Sequence, residues 1–420
     1  MHKTSSTSVQ QNLKKMKKST GSRLLTVGGR PNMGPALHAM FIEEKERCFW
    51  FTNKGQTPEE IAKSGEQWRK KLQKSIQSFK GEVCILSGEA LSESMFTEKS
   101  IAALRDFLLP LFDEVRVIGY VRPPYQYKNS RFQESVKANL SSFNPGKVGL
   151  NYRARFEKWD NVFGVQNVHL VKFNPATFPN RCAVADFCQQ IGIALPPSLN
   201  IRRFNESLSQ SACGILYAYR KFGPGYGTGN VARLENAYLI RALRLVGGKK
   251  FELSRAILER SVKSEREGIE WIERRIGTSL DEPNNDNGME INSEEDLLRV
   301  SQASCEEFVK CFEELYRVRL GSPFVATSDP VDPRQVAELV ESCREICRDL
   351  VAQTVQVEKF TKHLPDNYRS RRLARWYVAI SRKLTKWFGN GSSVQASHSS
   401  SLDRMPLESL AGIAKRRTKK

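Results

Sequence analysis

EVRVIGYV occupies residues 114–121 and decides the fold, because a short apolar run rich in β-branched residues favours a buried strand. A helical pattern follows over residues 125–138. The same alternation recurs at GEVCIL (81–86) with a helix over 101–112, and at NVHLVKF (167–173) with a helix over 183–191. Strands joined by helical crossovers pack as a mostly parallel sheet flanked by helices. We therefore predict an α/β fold with an all-helical C-terminal extension.

The chain divides into regions where its sequence pattern changes. Residues 7–18 place Val9, Leu13 and Met16 on one face of an amphipathic helix, and TPEE at residues 57–60 is typical of a helix start. The pattern becomes entirely helical after residue 207, and a polar, turn-rich stretch begins at 277. We predict an α/β domain over 1–276, a linker or loop over 277–293, a helical extension over 294–388 and a disordered basic tail over 389–420.

Charge and composition restrict the classes of partner. The 66 Lys and Arg exceed the 46 Asp and Glu, and the resulting charge of +20 favours nucleotide donors, acidic glycans, nucleic acid or a membrane surface. Nine cysteines without a CxxC pair and five isolated histidines predict neither a zinc site nor a disulfide framework. The absence of an apolar run of about 18 residues or of an apolar signal core predicts a soluble, cytoplasmic protein.

A run of hydroxyl side chains follows Lys3 at the predicted start of the first helix. Residues 3–8 read KTSSTS and combine one cation, several hydroxyls and helix N-terminal amides, which together form an anion cradle. The Walker A pattern GxxxxGK[ST] occurs nowhere in the chain, so NTP hydrolysis is disfavoured. Taken alone, the run is also typical of a flexible polar terminus.

Two further candidate groups follow predicted strands. Arg122 ends the strand over 114–121, and Ser130 lies eight residues later, so both can converge on a phosphate at the sheet edge. They can equally be a surface arginine and a helix serine without a shared ligand. Glu89 follows GEVCIL, where a carboxylate can act as a general base, cap a helix or pair with Lys3. Glu93 is the nearby alternative for the base.

These segments together resemble the bacterial carbohydrate-type sulfotransferases. HKTSSTSVQ (2–10) resembles their HKTGTTSIQ loop, which binds the 5′-phosphosulfate end of 3′-phosphoadenosine 5′-phosphosulfate (PAPS). The Arg122 and Ser130 pair matches the family's 3′-phosphate site, and CILSGEALS (84–92) resembles its strand with Ser-Ser-Glu. Residues 151–193 and the NESLS turn at 205–209 are also similar, so the resemblance covers residues 2 to about 222 in the family's order.

The resemblance implies a P-loop NTPase-like sulfotransferase fold and a PAPS-dependent transfer of a sulfuryl group to a carbohydrate-type hydroxyl or amine. Lys3 and Glu89 would be catalytic, with Lys3 on the leaving phosphate oxygen and Glu89 as the base. No metal is required. The donor-binding residues that the resemblance implies are His2, Lys3, Thr4, Ser5, Ser6, Thr7, Arg122 and Ser130.

Three features depart from the family pattern. The family's loop follows a strand, whose residues would precede Met1, so we expect the first strand to be missing. The family's Asn-His pair is Asn32-Met33 here, which removes a polar contact. Gly88 replaces the family's serine before the glutamate, which is expected to loosen that turn.

The partner is predicted to be a carbohydrate or glycolipid acceptor and no specific nucleic acid, with a peripheral membrane or polyanion contact through the basic tail. Tyr217, Tyr219 and Tyr226, with the glycines of KFGPGYGTGN (221–230), are candidates for a sugar-contacting loop, although such aromatic residues more often serve packing. Two other functions stay open. One is a non-enzymatic polyanion binder with an incomplete donor site, and the other is a small-molecule kinase, which would need a Walker A lysine and a magnesium-binding acid.

Overall fold

A computed structural model describes residues 4–16, 22–24, 31–52, 55–79, 81–196, 199–201, 207–225, 227, 229–283, 290–321 and 324–362. The chain forms two compact units, Met1–Arg348 and Asp349–Lys420. His2, Lys3, the first two residues of the NESLS turn (205–206), Tyr226 and the predicted tail over 389–420 lie outside the described residues.

Four short strands run in parallel pairs. They are β1 (Ser22–Leu24), β2 (Val83–Ile85), β3 (Val117–Val121) and β4 (Val168–Lys172). β1 pairs with β2, and β3 pairs with β4 over five residues from the Val117–Val168 partners onwards. The α/β class and the parallel pairing are confirmed. Within the described residues, however, the strands form two separate pairs instead of one sheet, and residues of both β2 and β3 line one cleft.

Helices make up most of the described chain. In order they are α1 (Ser6–Lys15), α2 (Gly34–Phe41), α3 (Phe49–Thr52), α4 (Pro58–Gln77), α5 (Glu98–Leu108), α6 (Pro124–Ala138), α7 (Tyr152–Phe163), α8 (Ala183–Gln190), α9 (Gln210–Phe222), α10 (Gly229–Leu243), α11 (Arg255–Lys263), α12 (Arg266–Ile276), α13 (Glu294–Leu298), α14 (Gln302–Tyr316) and α15 (Pro333–Lys362). None in the described ranges has the length and apolar character needed to cross a bilayer.

The start of α4 confirms the helix signal at residues 57–60. Thr57 accepts a hydrogen bond from the Glu60 amide, while the Glu60 carboxylate accepts one from the Thr57 amide. This reciprocal pair satisfies donors that a helix start otherwise leaves unpaired. α4 then packs against α2, and a Cβ on Gly65 would lie 2.3 Å from the Ala39 carbonyl oxygen, so only glycine permits this approach.

Tyr217 and Tyr219 lie in the packed interior of the helical region. Both side chains are fully buried on α9. The Tyr217 hydroxyl donates to Glu294, and the Tyr219 hydroxyl donates to Glu341 at 2.5 Å. A buried phenol whose hydroxyl is already bonded serves packing, so these two residues do not form a sugar-contacting surface.

Candidate functional site

The segment that enters α1 has a strained backbone. Ser5 is the residue before the helix and adopts a left-handed φ of 59°, a conformation that favours glycine. The sulfotransferase loop quoted above has glycine at this position. Thr4 is buried beside it, and the Val9 amide donates to the Ser5 carbonyl oxygen at 3.0 Å, which starts the helix.

α1 is fixed by its apolar face, as the sequence predicts. Val9, Leu13 and Met16 pack in a buried cluster with Ile85 of β2 and with residues of α8. A polar contact supplements this packing, since the Gln10 side-chain amide donates to the Ser87 hydroxyl at 3.0 Å. The start of α1 is therefore held against the turn that follows β2.

That turn is packed closely against the start of α2. The Met33 amide donates to the Ser87 carbonyl oxygen at 2.7 Å. A Cβ on Gly88 would lie 3.1 Å from both the Cα and the nitrogen of Gly34. The structure thus gives Gly88 a packing role, and the expectation that it loosens the turn stays a prediction.

A cleft of about 700 Å³ brings several predicted site residues together. Thr4 and Ser6 line it from the start of α1, and Ser87, Gly88 and Glu89 line it from the turn after β2. Ser5 and Thr7 belong to the same turn of chain as Thr4 and Ser6 but do not line the cleft. Residues from the start of α1 and from the turn after β2 consequently border one cleft, whose remaining lining is largely apolar residues of β2, β3, α5 and α7.

Glu93, the alternative base, has different surroundings. Its carboxylate lies 3.8 Å from an Arg155 guanidinium nitrogen, and its carbonyl oxygen accepts from Lys158 at 2.6 Å. Glu93 is not among the residues that line the cleft. The geometry favours Glu89 as the candidate base.

Two buried basic groups near the Glu89 turn were not predicted. The His38 ring nitrogen Nε2 lies 3.2 Å from the Ala90 carbonyl oxygen, and burial lowers the His38 pKa to about 4. Burial likewise lowers the Lys158 pKa to about 8, although its ammonium donates to the carbonyl oxygens of Glu93 and Phe96. Neither residue belongs to a motif, so the sequence carries no signal for them. Their hydrogen bonds to backbone carbonyl oxygens beside the Glu89 turn indicate that they support this turn.

Arg122 and Ser130 lie on the neighbouring strand and helix. Arg122 follows β3, its guanidinium lies 5.7 Å from the centre of the Phe173 ring, and burial lowers its pKa to about 10. Ser130 is half-buried two turns into α6. Neither residue lines the cleft that holds Thr4 and Glu89.

The start of α6 already holds a carboxylate. Glu282 accepts hydrogen bonds from the Tyr125 amide at 2.8 Å and the Gln126 amide at 3.1 Å. Pro124 has no N–H, and the Tyr127 amide donates to the Pro123 carbonyl oxygen. Glu282 therefore binds the two backbone donors that this helix start offers to an anion.

Two arginines accompany this carboxylate. Arg255 donates to the carbonyl oxygens of Glu282 and Pro283 at 2.5 and 2.8 Å, and its guanidinium lies 4.6 Å from the centre of the Tyr125 ring. Burial raises the Glu282 pKa, while the amide hydrogen bonds and the charges of Arg255 and Arg122 act in the opposite direction. The predicted loop over 277–293 gave no signal for this contact, because its sequence is merely polar.

The residues present suit a ligand with separate anionic groups. The starts of α1 and α6 both follow candidate site segments, and helix starts bind anions through their amides and their dipole. The Glu282 carboxylate shows that the start of α6 does so in this chain. Comparisons with family models, curated proteins and solved structures found no match to this chain.

Proposed function

We propose that this protein is a P-loop-type sulfotransferase that transfers a sulfuryl group from PAPS to a hydroxyl or amine of a carbohydrate-type acceptor. The observation that carries the proposal is the cleft shared by Thr4, Ser6 and Glu89. A helix start suited to an anion and a carboxylate suited to accept a proton are both required by sulfuryl transfer. The resemblance at residues 2–10 and 84–92 supplies the identity of the donor.

The donor would be held by two groups of residues. Thr4, Ser5, Ser6 and Thr7 would bind its 5′-phosphate end through hydroxyls and amides at the start of α1, together with His2 and Lys3. Arg122 and Ser130 would bind its 3′-phosphate beside the start of α6. Bound PAPS supplies the sulfuryl group, whose bond to the phosphate oxygen breaks as the bond to the acceptor forms.

The chain's own contribution is positioning, charge and proton transfer. Glu89 would take the proton from the acceptor hydroxyl or amine, which makes the acceptor more nucleophilic. Lys3 would stabilise the charge that develops on the leaving phosphate oxygen. His38 lies against the Ala90 carbonyl oxygen and would hold the Glu89 turn in place, so that the carboxylate keeps its position in the cleft.

The proposed acceptor is a carbohydrate or glycolipid, and the proposed location is the cytoplasm. No metal takes part in the proposed reaction. The acceptor would approach the Glu89 side of the cleft, because the proton that Glu89 accepts must lie within hydrogen-bond reach of its carboxylate.

Calorimetry with 3′-phosphoadenosine 5′-phosphate (PAP) tests the proposal on the full chain. We expect PAP to bind, and we expect Arg122→Ala to weaken binding at least tenfold, on the order of one charge-assisted hydrogen bond. Lys3→Ala should weaken it as well. Arg47→Ala, which removes an exposed arginine that does not line the cleft, is the control and should leave binding unchanged.

A protein that binds acidic glycans but not PAP would contradict the proposal and favour the non-enzymatic polyanion binder. Binding of ATP with magnesium in preference to PAP would favour the kinase. Each outcome is read from the same titration with a different ligand.

A further inference from the structure

The Glu282 carboxylate sits at the helix start that the proposed function assigns to the 3′-phosphate. Its two oxygens accept from the Tyr125 and Gln126 amides, and the Arg122 side chain is close enough to affect its pKa. A phosphate bound beside Arg122 at this helix start would need the same amides. One set of donors cannot serve two anions at once.

The segment that carries Glu282 is attached to the body just before this contact. Leu280 is buried with Val121 and Tyr152, and its amide donates to the Glu273 carboxylate at 2.6 Å. The Lys172 ammonium at the end of β4 donates to the Ser279 carbonyl oxygen at 2.7 Å. These contacts hold the backbone of residues 279–281, so only the Glu282 side chain has to turn away to release the two amides.

We propose that Glu282 is a built-in competitor of the donor, occupying the 3′-phosphate position until PAPS displaces it. The inference rests on the proposed function and adds a regulatory device to it. The measured affinity for a 3′-phosphate then equals the intrinsic affinity reduced by the fraction of time that the amides are free. Glu282 also leaves the helix start paired when no donor is bound, which avoids exposing two unpaired amides in a half-buried site.

Titration of the full chain with PAP and with AMP, which lacks the 3′-phosphate, tests this competition. If Glu282 occupies the amides for about nine tenths of the time, Glu282→Gln should bind PAP about tenfold more tightly than the unaltered protein. AMP affinity should stay the same. Glu282→Asp keeps the charge but shortens the side chain by one methylene, so it should also bind PAP more tightly, by a smaller factor.

Asp281→Asn is the matched control, because it removes the same charge one residue away. The Asp281 side chain is exposed, whereas its backbone carbonyl accepts from Lys172. We expect its PAP affinity to stay within about twofold of the unaltered protein, since surface charges are largely screened.

Equal or weaker PAP binding by Glu282→Gln would overturn the competition and leave Glu282 as a helix cap, with the donor site intact. A similar gain with AMP, or with Asp281→Asn, would show a general charge effect and would also overturn it. If no variant binds PAP, the proposed function fails and the competition fails with it. Thermal unfolding of each variant confirms that the compared proteins are folded.

Discussion

Replacing Gly88 with serine restores the residue found in the sulfotransferase segment that this chain resembles, yet the structure predicts that it destabilises the protein. A Cβ there would lie 3.1 Å from the Cα and nitrogen of Gly34 and 3.0 Å from the Leu91 Cγ, whereas ordinary contact begins at 3.4 Å. Leu91 can rotate away, but Gly34 presents backbone at the start of α2. The two segments must therefore separate by a few tenths of an ångström.

Overpacking of this kind costs about 1–3 kcal/mol. The unit Met1–Arg348 has an unfolding entropy near Tm of about 0.7 kcal/mol/K, so that loss lowers Tm by roughly 1–4 °C. Scanning calorimetry of Gly88→Ser against the unaltered protein measures the shift. Gly268→Ser is the control, because a Cβ on Gly268 would meet no heavy atom within 4 Å among the described residues. A Gly88→Ser protein as stable as the unaltered one would refute the close packing of Gly88 on Gly34.

Three other predictions concern the N-terminal loop, the β4 region and the histidine beside the turn. Ser5→Gly should stabilise the protein by up to about 1 kcal/mol in urea unfolding, since Ser5 has a left-handed φ; a loss of stability would argue against that conformation. Arg275→Ala should lower the free energy of unfolding by about 3 kcal/mol, because it leaves the buried Asp160 carboxylate without the guanidinium that donates two 2.8 Å hydrogen bonds to it. The control Arg274→Ala removes an exposed arginine and should change the free energy of unfolding by less than about 0.5 kcal/mol. Burial lowers the His38 pKa from 6.5 to about 4, so the unfolded chain gains a proton first as pH falls. The free energy of unfolding should therefore drop by a few kcal/mol between about pH 6.5 and 4. His38→Gln should make this drop smaller, and an unchanged pH profile in that variant would contradict a buried, neutral His38.

Local patterns in the sequence predicted the elements that depend on local physics. The apolar face of α1 at Val9, Leu13 and Met16 packs as its spacing indicates, and Thr57 and Glu60 form the helix start that their order suggests. The alternation of strands and helices also predicted parallel pairing. Each of these features depends on residues that lie a few positions apart in the sequence.

Features that join distant segments left no such pattern. Glu282 contacts amides more than 150 residues away, and nothing in a polar loop distinguishes one glutamate that caps a helix from its neighbours. Gly88 lies against Gly34 because two segments distant in sequence meet there, and no periodic sequence pattern predicts such a contact. The division of the strands into two pairs is likewise a property of the whole packing.

The residues of the candidate site also divide into those that the sequence predicted and those that only the structure shows. The sequence predicted Thr4, Ser6 and Glu89 as site residues, and the structure brings these three to one space. It could not predict that His38 and Lys158 are buried around the Glu89 turn with lowered pKa values, because burial depends on neighbours from α2, α5 and α7.

Sulfate transfer from radiolabelled PAPS to a panel of oligosaccharides and glycolipids tests whether the protein is a sulfotransferase with Glu89 as its base. We expect labelled product with the unaltered protein and a loss of at least a hundredfold in rate with Glu89→Gln, on the order of general-base catalysis. PAP binding should be unchanged in that variant. Glu93→Gln should keep most of the activity. A Glu89→Gln protein that transfers sulfate as fast as the unaltered protein would rule out Glu89 as the base. An unaltered protein that labels no acceptor and binds no PAP would rule out the sulfotransferase.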